Sequence, residues 1–258
     1  RRLRELFNDP LLTPSGRRLV ATSRALELKT ELREHLQSLD ALVRVNSAFD
    51  PAKTKKTFRI IATDYAHAIL SPLLARNVAR AAPGARFAFL PFAPKTTWST
   101  LVSDEADLAL VTGMTLPEAK TRKGIEESFC VIQRKGHPNG TKPLSLNAFC
   151  GAEHILVSPE GGGFVGMADR VLGEAGLRRR VVVSLPSFLL APTLVARTDY
   201  ICLLPRRLAA LHADLIDMVE PPFETPIFSA DLLWHSRRHH DPSHKWFRNQ
   251  VATLLSAA

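Results

Sequence analysis

Beyond residue 57, short β-branched and apolar runs alternate with helical stretches, and this alternation restricts the fold more than any other feature. Residues 57–63 (TFRIIAT), 86–92, 107–112 (DLALVT), 125–133, 154–157, 181–184, 200–204, 215–219 and 227–234 read as strands. Residues 65–82, 97–103, 165–177, 186–196 and 205–211 read as helices between them, 146–150 as one or two helical turns, and 242–256 as a closing amphipathic helix. Strands separated by helices predict an α/β fold with a mostly parallel sheet covered on both faces. The second half repeats the logic of the first, which predicts two α/β subdomains with a ligand cleft between them.

The first 57 residues follow a different rule. Residues 1–7 (RRLRELF) read as a helix already under way, so a segment upstream of Arg1 is expected. The run Asn8-Asp9-Pro10 stops that helix, because proline disfavours the α conformation in the residue before it. Residues 11–21 (LLTPSGRRLVA) read as a hairpin or wing turning at Pro14-Ser15-Gly16. Thr22 or Ser23 then caps a helix predicted to run to about Val45. Along it Ala25, Leu28, Leu32, His35, Leu39 and Leu42 recur at alternating spacings of three and four, with Leu36 and Val43 widening the stripe. Such a stripe serves either a helix packed on its own domain or a seam between two chains. The sustained heptad spacing favours the seam, with Leu28, Leu32, His35, Leu39 and Leu42 as its dimerisation residues. Residues 46–56 (NSAFDPAKTKK) read as a linker, placing a domain boundary near residue 57.

Charge narrows the partners. The chain has 34 Lys and Arg against 25 Asp and Glu, a formal net charge of +9. Residues 1–57 carry 12 of the basic and 7 of the acidic groups, so basic density is highest at the front. This balance suits a polyanionic partner. No apolar run approaches the ~18–20 residues of a membrane span. Cys130, Cys150 and Cys202 lie far apart with no C-x-x-C pair, which argues against a disulfide framework and fits a reducing cytoplasm.

Motifs for catalysis are weak. Residues 161–166 (GGGFVG) match G-x-G-x-x-G between a strand and a helix. However, residues 158–160 (SPE) lengthen the loop, and the next strand, VVVSLPS, ends without the acidic residue that would bind a ribose. His235, His239, His240 and His244 cluster in sequence, but Asp241-Pro242 breaks the helix that would align them, so no metal is expected. His154 opens a buried strand and reads as structural. No nucleophile elbow, paired carboxylates or P-loop is present. No cofactor and no catalytic residue is assigned.

Strand ends are more informative. Thr63, Asp64 and Tyr65 close the first strand and open its helix; Thr112 and Gly113 close the third. Ser158, Gly163 and Phe164 precede one later helix, and Ser187 and Phe188 open another. These ten residues are expected to bring hydroxyls, backbone N–H groups and aromatic surface to one cleft, suited to a carboxylate or phenolate. Ordinary helix capping would use the same residue types.

The order LRELFNDPLL, SGRRLVAT, long helix, FRIIATDY, AAPGARF, EADLALVTG, CVIQRKGHP, HILVSPEGGG, PSFLLAPTLVA, YICLLPRRLA and LLWHSRRHHDPSHKWFRNQV resembles a LysR-type transcriptional regulator, and in particular the subgroup of nodulation and aromatic-catabolism regulators. The resemblance spans the chain. It implies that residues 1–22 are the end of a winged helix-turn-helix, with Arg1, Arg2, Arg4, Arg17 and Arg18 on promoter DNA. The wing arginine common in the family is replaced near Thr13-Pro14. It further implies a linker helix and hinge over 23–57 and a periplasmic-binding-protein-like (type 2) effector domain over 58–258. Subdomain I would hold 58–129 and 229–258, and subdomain II 130–228. The ten strand-end residues would then meet a small co-inducer, aromatic or carboxylate, in a homodimer or homotetramer. Two other classes share parts of the pattern: a secreted type 2 solute-binding protein, which has no use for a basic wing and heptad helix, and an NAD-linked enzyme using residues 161–166.

Overall fold

The computed structural model describes residues 2–16, 18–43, 49–114, 116, 118–159 and 161–256, which form two compact units, Arg1–Phe49 and Asp50–Ala258. In the first unit, helix α1 (Arg2–Phe7) ends where Asn8 turns to a φ of 46° before Asp9-Pro10. Strands β1 (Leu12–Ser15) and β2 (Arg18–Ala21) form an antiparallel hairpin, Leu12 opposite Ala21, with Gly16 at a φ of 61° in the turn. Asp9 accepts hydrogen bonds from Leu11 N at 2.6 Å and Thr22 Oγ1 at 2.7 Å. Thr22 Oγ1 in turn accepts from Ala25 N at 3.1 Å, capping helix α2 (Ser23–Val43). Arg2, Arg4 and Arg18 are exposed; Arg1 and Arg17 lie outside the described residues. Along α2, Leu28 is half-buried while Leu32 and His35 are exposed; the side chains of Leu39 and Leu42 lie outside those described.

The second unit opens with β3 (Thr57–Ala62), α3 (Asp64–Ala81), β4 (Arg86–Pro91), α4 (Thr97–Val102), β5 (Leu108–Val111) and β6 (Ala119–Glu127). It continues with β7 (Phe129–Arg134), α5 (Leu146–Gly151), β8 (Glu153–Val157), α6 (Met167–Glu174), β9 (Arg180–Leu185), α7 (Ala191–Val195), β10 (Ile201–Pro205), α8 (Arg206–Ala210) and β11 (Ile216–Val219). β12 (Phe228–His235) and α9 (Pro242–Ser256) close it. The strands divide into two sheets, ordered β4-β3-β5-β12-β6 in a first lobe and β11-β7-β10-β8-β9 in a second.

Two expectations are corrected here. The single strand predicted over 125–133 is two strands, β6 and β7, which part at Ser128 and join different sheets. The polar run Glu126-Glu127-Ser128 marks the break, but a strand can carry such residues on an open face, and periodicity reports burial and not the sheet that provides it. The sheets are also mixed, not mostly parallel. β3, β4 and β5 pair in parallel, but β12 re-enters the first lobe from the second and runs antiparallel to both β5 and β6. In the second sheet β8 pairs in parallel with β9 and β10, while β7 is antiparallel to β10 and β11.

Each lobe has its own core. In the first, Phe58 of β3 stacks on Phe247 of α9 at 4.3 Å between ring centroids, with Phe87 at 6.1 Å, so the last helix seals the first strand. In the second, Phe149 packs edge-on against Phe223 at 5.2 Å within a cluster of Val131, Leu172, Ile201 and Val219. Among the described residues, no helix is long and apolar enough to cross a membrane.

A buried histidine braces each lobe in the same way. His154 Nε2 lies 2.7 Å from the Phe149 carbonyl and its Nδ1 lies 3.3 Å from Arg179 Nη1. His244 Nε2 lies 2.8 Å from the Asp107 carbonyl and its Nδ1 lies 3.0 Å from Arg248 Nη1. Both networks require a neutral ring that donates from Nε2 and accepts at Nδ1. Burial pushes the His154 pKa down to about 4 and lowers that of His244 as well.

Two outcomes are expected. Phe247→Ala should destabilise the second unit by about 3–5 kcal/mol in urea unfolding, through lost burial and the cavity left behind. As pH falls below about 6.5 the unfolded chain binds protons that folded His154 does not take up until about pH 4. Stability from this source is therefore complete above about pH 7 and declines across that window. The melting temperature should drop between about pH 7 and 4, and His154→Gln should flatten the profile.

Candidate functional site

Local chemistry sets the first wall of the cleft. β3 ends at Ala62, and Thr63 caps α3, its Oγ1 accepting from Ala66 N at 3.4 Å. Tyr65 in the first helical turn is buried, with its ring 6.1 Å from Phe188 and 6.3 Å from Phe228. β5 ends at Val111, which leaves Thr112 at the cleft and Gly113 beside it at a φ of 68°. The strand crossings supply the floor: Phe129 starts β7, Phe228 starts β12, and their rings lie 5.1 Å apart. From the second lobe, α6 presents Met167 and Arg170, one helical turn apart and so on one face.

These groups line a partly open cavity of about 490 Å³ between the two sheets. Its wall is Thr63, Tyr65, Phe92, Thr112, Phe129, Arg170, Phe188 and Phe228, completed by Ala66, Leu110, Val111, Pro159, Met167, Pro226 and Ala230. The volume suits a small organic molecule, and the lining is apolar and aromatic with few polar groups. Arg170 is the one charged residue among the described lining, and no described carboxylate pairs with it.

Beneath the cavity lies a buried ionic cluster. Tyr65 Oη donates to Glu127 Oε2 at 2.6 Å, and Glu127 is 3% exposed. Glu127 also accepts from Ser128 N at 2.8 Å and lies 3.4 Å from Arg207 Nη1. Burial, followed by the hydrogen bond to Glu127, pushes the Tyr65 phenol well above its ordinary pKa, so it stays a donor.

Of the ten expected cleft residues, Thr63, Tyr65, Thr112 and Phe188 line this cavity. Asp64 lines an adjoining recess of about 310 Å³ that shares Thr63, Phe92 and Pro159 with it. Ser187 is spent on Asp64, donating to Oδ2 at 2.6 Å. Ser158 forms the turn before the glycines: its carbonyl accepts from Gly161 N at 2.8 Å. Gly163 accepts from Ser184 Oγ at 2.6 Å, and Phe164 is 55% exposed.

Two local expectations fail for identifiable reasons. Ser187 and Phe188 do not open a helix, since α7 starts only at Ala191 and the preceding turn is held from across the cleft. The start of α6 is not free for a ligand anion either. Its Gly166 N–H donates to Asp169 Oδ2 at 2.7 Å, and Arg179 clamps the same carboxylate with two further bonds of 2.9 and 2.8 Å. Burial alone would raise the Asp169 pKa, but these bonds outweigh it and hold the group ionised.

Sequence reasoning missed Phe92, Phe129, Arg170, Phe228 and Glu127. Arg170 occupies an unremarkable helical position. Phe129 and Phe228 sit where the chain changes sheets, and the polar residues just before Phe129 were the available signal, while Phe92 follows β4 with no signal of its own. The clustered histidines are dispersed in role: His239 stacks on Trp234 at 6.0 Å, and His244 is buried in its carbonyl–arginine bridge. Among the described residues no three His, Cys, Asp or Glu side chains converge on a metal position. Cys130 and Cys202 are buried, and desolvation pushes both thiols up to about 12.

Known proteins share this architecture. The family model described as LysR substrate binding domain matches residues 52–256. Nodulation protein D 1 of Bradyrhizobium sp. (strain NC92) is 30% identical over 264 residues, covering 99% of this chain and 83% of that one. The HTH-type transcriptional activator NagR of Ralstonia sp is 28% identical, covering 100% of this chain and 86% of its own. A crystal structure of the probable transcriptional regulator PA0477 from Pseudomonas aeruginosa superposes with a TM-score of 0.72 at 29% identity, covering 97% of this chain and 84% of that one. The chain therefore belongs to the LysR-type transcriptional regulators, and its second unit is their effector-binding domain with the periplasmic-binding-protein-like fold.

Proposed function

We propose that the cavity between the two sheets takes a small aromatic co-inducer carrying a carboxylate or phenolate. The aromatic wall with a single guanidinium supports this reading above all other observations. Tyr65, Phe129, Phe188 and Phe228 offer ring faces and edges to a planar molecule. Arg170 offers a charged donor at one side, and the Thr63 and Thr112 hydroxyls offer neutral ones. The cleft binds and does not catalyse in this reading, and it needs no cofactor.

The bound molecule acts by favouring one arrangement of the two lobes over another; equal affinity for both would change nothing. The response reaches promoter DNA in the cytoplasm through the first unit. Its exposed Arg2, Arg4 and Arg18 suit phosphate contacts, which position a protein on DNA and leave base readout to other residues. The heptad face of α2, with Leu28 and Leu32, pairs chains into a homodimer or homotetramer. The subdomains in this reading are 58–129 with 229–258, and 130–228; the crossings of the chain between sheets, at Ser128 and just before Phe228, lie beside these bounds and support them.

Titration calorimetry of the chain against benzoate, salicylate and their amides tests the ligand reading. The acids should bind more tightly than the amides. Arg170→Ala should weaken the acids roughly tenfold or more, as expected for a lost hydrogen bond to a charged group, and leave the amides unchanged. Binding of sugars or amines with no heat from any aromatic acid would overturn it. For the assembly, Leu28→Glu with Leu32→Glu should shift the sedimenting species to the monomer, while the second unit melts as in the parent.

A further inference from the structure

Asp64 and Tyr65 are neighbours in the first turn of α3, yet they face different partners: Tyr65 the end of β6 in its own lobe, Asp64 the second lobe. Tyr65 reaches Glu127 at the strand crossing, where Arg207 N also approaches Glu127 Oε2 at 3.4 Å. Asp64 instead accepts two hydrogen bonds from the segment between β9 and α7: from Ser187 Oγ at 2.6 Å and from Leu189 N at 3.2 Å. Its other oxygen accepts from Tyr65 N at 2.8 Å, which fixes the carboxylate on its own helix.

The segment that Asp64 holds is part of the cavity wall. Phe188, between the two donors, lines the main cavity and packs against Tyr65, and Pro186 lines the adjoining recess. Leu189 and Leu190 are exposed, 40% and 52%, and α7 does not begin until Ala191. On its own lobe the segment is held by turn bonds into α7, the Phe188 carbonyl accepting from Ala191 N at 3.3 Å and the Leu190 carbonyl from Leu194 N at 3.2 Å; across the cleft the Asp64 carboxylate accepts two charge-assisted bonds from it.

We propose that Asp64 is a gate residue: its carboxylate latches the 186–189 segment across the cleft, and release of that latch swings Phe188 away and joins the recess to the main cavity as the ligand's entry route. Asp64 is a positioning residue in this scheme, acting on access through Ser187 and Leu189, and contact with the ligand is left to the cavity wall. The inference rests on the proposed function only in treating the cavity as a ligand site. Its test needs no ligand.

Val111 lines the cavity and is 5% exposed, so Val111→Cys places a thiol inside it. The native Cys130 and Cys202 are buried, and labelling of the parent chain corrects for Cys150. The rate at which a charged methanethiosulfonate reagent labels the new thiol reports opening. Adding Asp64→Ala should raise that rate at least tenfold, and adding Ser187→Ala, which leaves the start of α3 intact, should raise it by a factor of about 2–10. Combining the two should add little beyond Asp64→Ala alone, because both break one latch. Unchanged labelling in both variants, with melting temperatures close to the parent, would overturn the proposal. So would additive acceleration in the double variant. If the latch behaves as expected while no aromatic acid binds the parent chain, the ligand reading fails and the gate stands.

Discussion

The architecture depends on one constraint: the chain passes between the sheets at Ser128 and returns between Val219 and Phe228. Two covalent strands joining two separately packed lobes leave a gap that neither core can fill. Residues at the crossings face that gap, and Phe129 and Phe228 make it apolar from below. A carboxylate at the same level, Glu127, would be costly to bury alone. Tyr65, the Ser128 amide and Arg207 supply the partners it needs, and in doing so they bind the first helical turn of one lobe to the other.

Within the lobes the polar problem is solved locally. Asp169, Arg179 and His154 satisfy one another around α6, and the Arg179 side chain is 1% exposed. Asp241, Arg248 and His244 surround the start of α9. The Asp241 Oδ1 atom accepts from Ser243 N at 2.8 Å and from His244 N at 3.1 Å. Burial would raise the Asp241 pKa, but these bonds together with Lys56 and Arg238 bring it down to about 2. Because these charges are neutralised inside their own lobe, the cavity wall is left with Arg170 as its charge.

Much of this was legible in the residues. The change from heptad spacing to alternating strands and helices near residue 57 comes a few residues after the start of the second compact unit at Asp50. Thr63 and Thr22 cap the helices that follow them, because a hydroxyl three residues before an N–H acts over one turn of chain. Other features resisted reading. The glycine run at 161–166 looks like an anion loop, but Asp169 already occupies the helix start it leads to. Ser187 looks like a cap and serves as a donor to a residue 123 positions away.

Local periodicity and capping chemistry determined the element types, the order of strands and helices and the family these imply, since such signals operate within a few residues. Only the tertiary structure decided that residues 125–133 split between two sheets, that Arg170 and Phe228 share a cavity, and that Asp64 grips Ser187. Those relations join positions far apart in the chain, and pairing over such distances is set by how the two sheets pack, which no short stretch of sequence encodes.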